Sequence, residues 1–159
     1  MRDPARELLR HTVATVAYRG AKATRGAPAD FADFRAAGDV RTPVQIVAHI
    51  ADLYDWALSL AKGKWEYNQS TPGNWERELE RFHSSLGAFD DYLASDAALE
   101  HSAEKLFQGP IADSLTHVGQ IAILRRLADS PIRAESYARS DIVAGRVGRE
   151  QTPSQFEFD

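Results

Sequence analysis

The sequence predicts an all-α protein, organised as a four-helix bundle with long connections. Apolar residues recur at alternating steps of three and four in four separate segments, which is the periodicity of an amphipathic helix. Capping residues and prolines stand at the starts of these segments, and no segment shows the strict alternation and turn residues of a β-hairpin. The chain of 159 residues is long enough to bury a core. We therefore expect a single domain over residues 1–159.

Prolines and capping residues place the first two helices. The first is predicted over Pro4–Thr24, with Asp3 as its N-cap and a proline at its first position. The second is predicted over residues 43–62, where Thr42 and Gln45 match the capping-box pattern. Its apolar face repeats in steps of three and four, at Ile46, His49, Leu53, Trp56 and Leu60.

The third and fourth helices are predicted over Trp75–Ala94 and over residues 110–128, and Ser130 with Pro131 ends the fourth. Three connections are long and cover residues 25–41, 63–74 and 95–109. The first and the third are each expected to contain a short helical segment. Connections of this length allow crossovers, so simple up-down-up-down order does not follow. Residues 131–159 have poor periodicity, and we expect them to form a loosely structured extension that packs on the helices.

Composition and charge argue against several classes of function. The net charge is -4, which argues against nucleic acid as a partner because phosphate binding needs a concentrated basic surface. No apolar run is long enough to span a membrane, and the N-terminal residues lack the apolar region of a secretory signal. The chain contains no cysteine, which fits a cytoplasmic location and limits any metal site to histidine and carboxylate ligands. A set of arginines is interpreted first as solvated or internally paired and second as a contact for an anionic substrate: Arg125, Arg126, Arg133, Arg139, Arg146 and Arg149.

Three side chains of metal-ligand type interrupt the apolar faces of the second and fourth helices. Asp113 and His117 are four residues apart, so a helix places both on one face, and His49 stands on the apolar face of the second helix. A polar group on a core face costs stability unless something satisfies it, and a bound cation would do so. Each histidine lies about 10 to 12 Å from its helix start, so facing helices can bring the two together.

Two imidazoles and one carboxylate form a three-ligand site with open coordination positions. We expect one divalent ion, Zn or Ni first, with Fe or Mn able to use the same donors. Such an ion acidifies a bound water or positions an anionic co-substrate such as a thiolate. Gln120, one turn beyond His117, and Asp52, three residues after His49, are candidates to orient the ligands from a second layer.

Ordinary structural roles remain open for each of these residues. The helix dipole alone favours Asp113 in a first helical turn, and a lone histidine on an apolar face is commonly a hydrogen-bonded core residue. Gln120 and Asp52 can equally form solvated or intrahelical hydrogen bonds. The other histidines are expected on a helix flank or at the surface: His83, with a fourth-ligand role as its alternative, His11 and His101.

Two short motifs resemble the DinB/YfiT-like superfamily. Residues 47–53 (VAHIADL) are similar to its "HIxD" segment on the second helix, and residues 117–121 (HVGQI) are similar to its "HxGQ" element. The resemblance covers about residues 13–128. It implies a helical bundle with unusual linkages that binds a divalent metal, with His49, Asp113 and His117 at the ligand positions. The chain departs from the usual pattern at Asp113, where the family commonly has histidine, and at Val118, where it often has arginine.

The resemblance also directs the expected function. Some members of the superfamily are thiol-dependent S-transferases or isomerases that use bacterial low-molecular-weight thiols. We therefore expect a cytoplasmic bacterial metalloenzyme that acts on a small molecule, by thiol transfer or by metal-assisted hydrolysis, and that forms a homodimer. The alternatives are a non-catalytic metal-binding or ligand-binding stress protein, and a structural dimeric bundle without metal.

Overall fold

The computed structural model describes residues 3–158 and shows a mostly helical chain with a very small sheet. Four long helices are present, α1 (Pro4–Thr24), α2 (Pro43–Ala61), α3 (Trp75–Ala94) and α5 (Ala112–Leu127), and a short helix, α4 (Ala103–Leu106), precedes the last of them. The first three long helices begin at the predicted residues. The all-α expectation is therefore confirmed at the level of helical content.

Side-chain caps explain why the helices begin where they do. The Asp3 carboxylate accepts a hydrogen bond from the amide of Ala5, and the Asn74 side chain accepts one from the amide of Arg77. The Gln45 side chain accepts a hydrogen bond from the amide of Thr42, at 2.9 Å. Each cap satisfies an amide that would otherwise lack a partner at a helix start.

The start of the fourth long helix differs from the prediction. The sequence places it at Pro110 because proline is favoured at a first helical position. In the structure, however, helical backbone already begins at Ala103 and continues through a wider π-helical turn, Phe107–Ile111, into α5. Proline has no amide hydrogen and its ring collides with the preceding turn of a regular helix. The wider turn accommodates Pro110 without ending the helix.

Contacts between helices define their directions. Arg10 on α1 pairs with Asp90 on α3, and Gly20 lies against Phe82, so these two helices are antiparallel. Arg81 and Tyr92 on α3 donate to carbonyl oxygens near the start and the end of α2, respectively, so α2 and α3 are parallel.

The α5 helix completes the arrangement. It runs antiparallel to α2, because Tyr54 contacts Ser114 while His49 contacts His117. It runs parallel to α1, since Gly20 lies near Val118, and the buried guanidinium of Arg125 donates to backbone carbonyls at the end of α1. The parallel α2–α3 pair requires residues 62–74 to return along the full length of α2. The order is therefore not simple up-down-up-down.

The core lies between these four helices. Its largest fully buried members come from α2, α3, the continuous helical segment from α4 through α5, and the first connection, and include Phe31, Ile46, Tyr54, Phe82, Phe89 and Ile121. The helices α1 and α3 approach closely at Gly20. A Cβ added there would lie 2.7 Å from the Phe82 ring, so this contact requires a residue without a side chain.

The C-terminal segment contains a strand pair that the sequence analysis did not predict. β1 (Ala134–Glu135) pairs with β2 (Glu157–Phe158) in antiparallel register. Two-residue strands are too short to show an alternation pattern, which explains the omission. The buried Glu135 carboxylate accepts hydrogen bonds from Tyr18 and Lys22 on α1. The segment is thus tied to the helices by specific polar contacts.

Within the described residues, none of the helices combines the length and the hydropathy needed to cross a membrane.

Candidate metal centre

The side chains of His49, Asp113 and His117 meet in the groove between α2 and α5. Each offers one ligand atom, and these three atoms lie within 4.8 Å of one another. The two imidazole rings are nearly perpendicular, with centroids 4.7 Å apart. His49 comes from the middle of α2, while Asp113 and His117 occupy successive turns of α5. The antiparallel packing of these helices places the three residues at one level.

The spacing of the polar atoms distinguishes this cluster from a hydrogen-bonded one. The Asp113 carboxylate oxygens lie 3.8 Å from His49 Nε2 and 3.4 Å from His117 Nε2. Both distances exceed the length of a normal hydrogen bond, about 2.7 to 3.2 Å. Two ligands of a tetrahedral ion with bonds of about 2.1 Å are separated by about 3.4 Å. One carboxylate oxygen faces each imidazole, so Asp113 lies between the two histidines without a direct hydrogen bond to either.

Gln120 fixes the orientation of His117. The Nδ1–H of His117 donates to Gln120 Oε1 at 2.8 Å. This assignment leaves Nε2, the atom facing Asp113, with its lone pair free. A histidine that ligates a metal typically donates its other ring N–H in this way. The His117 imidazole is buried, with a side chain only 10% exposed, so its orientation is constrained by packing as well.

His49 has an equivalent partner in Tyr67. The Tyr67 hydroxyl lies 3.1 Å from His49 Nδ1, so an Nδ1–H donating to the hydroxyl oxygen leaves Nε2 available to an ion. Burial lowers the pKa of His49, and the positive charge of Arg41 and the neighbouring His117 lower it further. A lowered pKa favours the neutral imidazole, which is the form that binds a metal.

A polar network holds the connection that delivers Tyr67. Arg81 on α3 donates to Asp52 at 2.9 Å and to the hydroxyl of Ser70 at 2.7 Å. The amide of Ser70 donates to the other Asp52 oxygen at 3.0 Å. Asp52 therefore contacts Arg81 and the connection of residues 62–74. It acts on His49 only indirectly, by holding the connection whose Tyr67 contacts that histidine.

Aromatic side chains line one side of the centre. Trp56 packs edge-on against Tyr67 and Trp65, with ring centroids 6.0 and 5.9 Å apart, respectively. Trp65 is 68% exposed. The indole nitrogen of Trp56 is buried and has no hydrogen-bond partner among the described residues. This side of the centre therefore presents ring faces and edges to solvent.

The remaining histidines lie outside the cluster. His83 is buried on α3, and its Nδ1 lies 3.0 Å from the carbonyl oxygen of Val147 in the C-terminal segment. His11 is exposed on α1, and His101 packs edge-on against Trp65. His83 is not among the grouped ligand atoms, so the alternative of a fourth ligand finds no support in the geometry.

The donor set suits a divalent transition ion. Two neutral imidazoles and one carboxylate supply nitrogen and oxygen ligands, and the Asp113 side chain is 48% exposed. The centre is therefore closed by protein on the helix side and open at Asp113. Three protein ligands with an open position are typical of catalytic rather than structural zinc sites.

Neither Tyr67 nor Arg41 could be predicted from the sequence. Both lie in connections, where no helical periodicity indicates which way a side chain points. A tyrosine 18 residues after His49 gives no spacing signal, because its approach depends on the path of the whole connection.

Comparisons with protein-family models, with curated proteins and with solved structures found no significant match to this chain.

Proposed function

We propose that the protein is a divalent-metal-dependent enzyme in which His49, Asp113 and His117 bind one ion. We further propose that its helices form a four-helix bundle of the DinB/YfiT type. The observation that supports the ion most strongly is the separation of 3.4 to 3.8 Å between the carboxylate and the two imidazole nitrogens. Zn or Ni is the preferred ion, and Fe or Mn are compatible with the same ligands.

The contacts of the motif residues support the family proposal in physical terms. In the "HIxD" segment, His49 faces the centre and Asp52 secures the connection bearing Tyr67. In the "HxGQ" element, His117 faces the centre and Gln120 accepts its second ring hydrogen. Each motif therefore pairs a candidate ligand with a residue that stabilises the position of a ligand. The substitution of aspartate for the more common histidine at position 113 retains a competent metal ligand.

The chemistry we propose is thiol transfer, with metal-assisted hydrolysis as the second possibility. The ion would supply a positive charge that lowers the pKa of a thiol or a water. The protein side chains perform the remaining tasks: His49 and His117 would hold the ion through Nε2, Tyr67 and Gln120 hold their ring orientations, and the exposed side of Asp113 leaves room for a substrate.

A paired assay tests the enzymatic proposal. Zn-loaded and Ni-loaded protein is screened for transfer of low-molecular-weight thiols to electrophilic acceptors and for hydrolysis of activated esters and amides. We expect activity that falls at least 100-fold in His117→Ala and is retained in His83→Gln, the matched histidine outside the cluster. Full metal content with no activity across the panel would contradict an enzyme and favour a non-catalytic metal-binding protein.

A further inference from the structure

Arg41 carries a positive charge next to the candidate metal centre and has no ion-pair partner among the described residues. It directly precedes Thr42, the N-cap of α2, and is exposed. Within residues 3–158 its guanidinium takes part in no hydrogen bond or ion pair with another side chain. Its side chain lines the same cavity as Gln120, the hydrogen-bond partner of His117. An arginine in this position repels a metal ion unless something negative lies between them.

A cavity of about 340 Å³ lies beside this arginine. Gln120, which accepts the hydrogen bond of His117, forms part of its wall. The other walls are mainly apolar, and Ile123 remains 51% exposed there. The lining consists of Val40, Arg41, Ile46, Gln120, Ile123 and Leu124. The cavity therefore joins an apolar surface, the Arg41 guanidinium and the residue that orients His117.

The charges around the centre are unbalanced once an ion is present. Two neutral imidazoles and the Asp113 carboxylate offset one of the two charges of a divalent cation. Asp52, a buried carboxylate nearby, is already paired with Arg81 at 2.9 Å. With Arg41 added, the surroundings of the centre have an excess of positive charge. A single anionic group between the ion and the guanidinium would interact favourably with both.

We propose that the substrate of this centre is a small amphipathic anion. Its charged head, a carboxylate or a thiolate, lies between the ion and Arg41, and its apolar part occupies the cavity bounded by Ile46, Ile123 and Leu124. This inference rests on the proposed metal site and adds the substrate class. Arg41 thereby becomes a substrate-binding residue, which distinguishes it from the residues that hold the ion.

Linked binding of Zn²⁺ and straight-chain carboxylates tests the inference. Zn²⁺ is titrated into the protein alone and in the presence of acetate, butanoate, hexanoate or octanoate, and the matched alkanethiols form a second series. We expect the longer anions to tighten Zn²⁺ binding at least tenfold, and Zn²⁺ to tighten anion binding by the same factor. Affinity should rise up to about fourfold for each added methylene until the cavity is filled. The series that binds more tightly identifies the head group.

Variants separate the roles of the charge and of the cavity. Arg41→Gln should bind Zn²⁺ alone at least as tightly as the wild type, because a repelling charge is removed, yet lose about tenfold or more in anion affinity. Arg41→Lys should restore part of that loss. Ile123→Gln should remove the dependence on chain length. Arg35→Gln, a change of an exposed arginine in the same connection, should behave as wild type.

The outcomes distinguish this inference from the proposed function. If the wild type fails to bind Zn²⁺, the metal site itself is wrong. If Zn²⁺ binds but anion affinity is the same in Arg41→Gln and the wild type, the metal site stands and the substrate assignment is wrong. Equal binding of acetate and octanoate would likewise overturn the role of the cavity.

Discussion

Each histidine of the candidate metal centre uses one ring nitrogen to contact the protein and directs the other toward Asp113. For His117 the partner is Gln120, and for His49 it is Tyr67. A free imidazole exchanges between two tautomers, and only one of them presents a lone pair at Nε2. The Gln120 amide oxygen can only accept, so it selects that tautomer of His117 in advance, and the Tyr67 hydroxyl is able to accept from the same tautomer of His49. Less free energy is therefore lost on ordering the ligands when an ion binds.

The residues of the centre differ in how far the sequence predicts them. Helical periodicity places His49, Asp113 and His117 on inward faces, and the structure brings all three together. Gln120 follows His117 by three residues, so the same periodicity brings the two side chains into contact. Tyr67 could not be predicted in this way, because its position depends on the tertiary path of a connection.

Removal of the Tyr67 hydroxyl tests its role on the ligand. Tyr67→Phe keeps the ring that packs on Trp56 but removes the hydroxyl that is hydrogen-bonded to His49 Nδ1. We expect Zn²⁺ affinity, measured by competition with a chelating dye, to fall about tenfold. Tyr92→Phe is the control, since the Tyr92 hydroxyl bonds to the carbonyl of Ala98. Equal affinity in wild type and Tyr67→Phe would show that Tyr67 does not position His49.

At the scale of elements, local sequence predicted helix starts better than helix contacts. The caps Asp3 and Asn74 act within two or three residues of their own position, so their pattern is visible in the sequence. Pro110 shows the limit of such reasoning. It matched a helix start locally, but the helix continues through it by means of a π-helical turn, and packing rather than local preference decides between those two outcomes.

At the close approach of α1 and α3, we expect a glycine-to-alanine substitution to destabilise the protein, although helix propensity alone would make it stabilising. Glycine to alanine normally stabilises a helix by up to about 1 kcal/mol. At Gly20 the new methyl group would collide with the buried Phe82 ring, and overpacking of this kind costs about 1 to 3 kcal/mol. We expect Gly20→Ala to lower the free energy of unfolding in urea by about 1 kcal/mol net.

Gly87 on α3 provides the control for this prediction. A Cβ there would meet only Val147, at 3.9 Å, so Gly87→Ala should leave stability unchanged or raise it. A Gly20→Ala variant that is as stable as Gly87→Ala would show that the helices separate readily at this point.

The contact of the C-terminal segment with α1 predicts a dependence on pH. Burial acts to raise the pKa of Glu135, but hydrogen bonds from Tyr18, Lys22 and Ser140 outweigh it, and the net pKa is lowered. A carboxyl group whose pKa is lower in the folded than in the unfolded state stabilises the folded state when the pH is above the unfolded-state pKa, which is about 4.5 for this residue. The stabilisation is lost as the pH falls below that value and through the folded pKa.

Glu135→Gln isolates this contribution. The variant leaves the buried Lys22 without its ion-pair partner at 2.9 Å, and we expect a loss of about 3 kcal/mol at pH 7. Measured by urea unfolding, the difference from the wild type should shrink as the pH is lowered from 5 to 3, about one unit either side of the usual carboxyl pKa. A difference that stays constant across this range would show that the Glu135 charge does not secure the segment.

At the scale of the whole molecule, the parallel α2–α3 pair determines where the centre lies. It requires the long connection of residues 62–74 to cross back along α2 and so to pass His49, where it delivers Tyr67. The sequence indicated that a crossover was permitted but not which helices run parallel. That choice depends on long-range contacts such as those of Arg81 with Ala48 and Asp52, which no local pattern reveals.

The candidate centre also joins parts of the chain that are distant in sequence. His49 and His117 belong to different helices, and an ion bound by both would couple α2 to α5. Such an ion stabilises the folded state in proportion to the logarithm of its concentration over its dissociation constant. The account therefore depends on whether one ion is bound jointly by residues of both helices.

Metal stoichiometry tests this claim most directly. Untagged protein, purified without a nickel column, is equilibrated with Zn²⁺, freed of excess ion by dialysis and analysed for elemental content. The account predicts about one ion per chain in the wild type and in His83→Gln. It predicts near-zero content in His49→Ala, Asp113→Asn and His117→Ala, each with unchanged helical circular dichroism. A wild type without metal, or full metal content in the three variants, would contradict it.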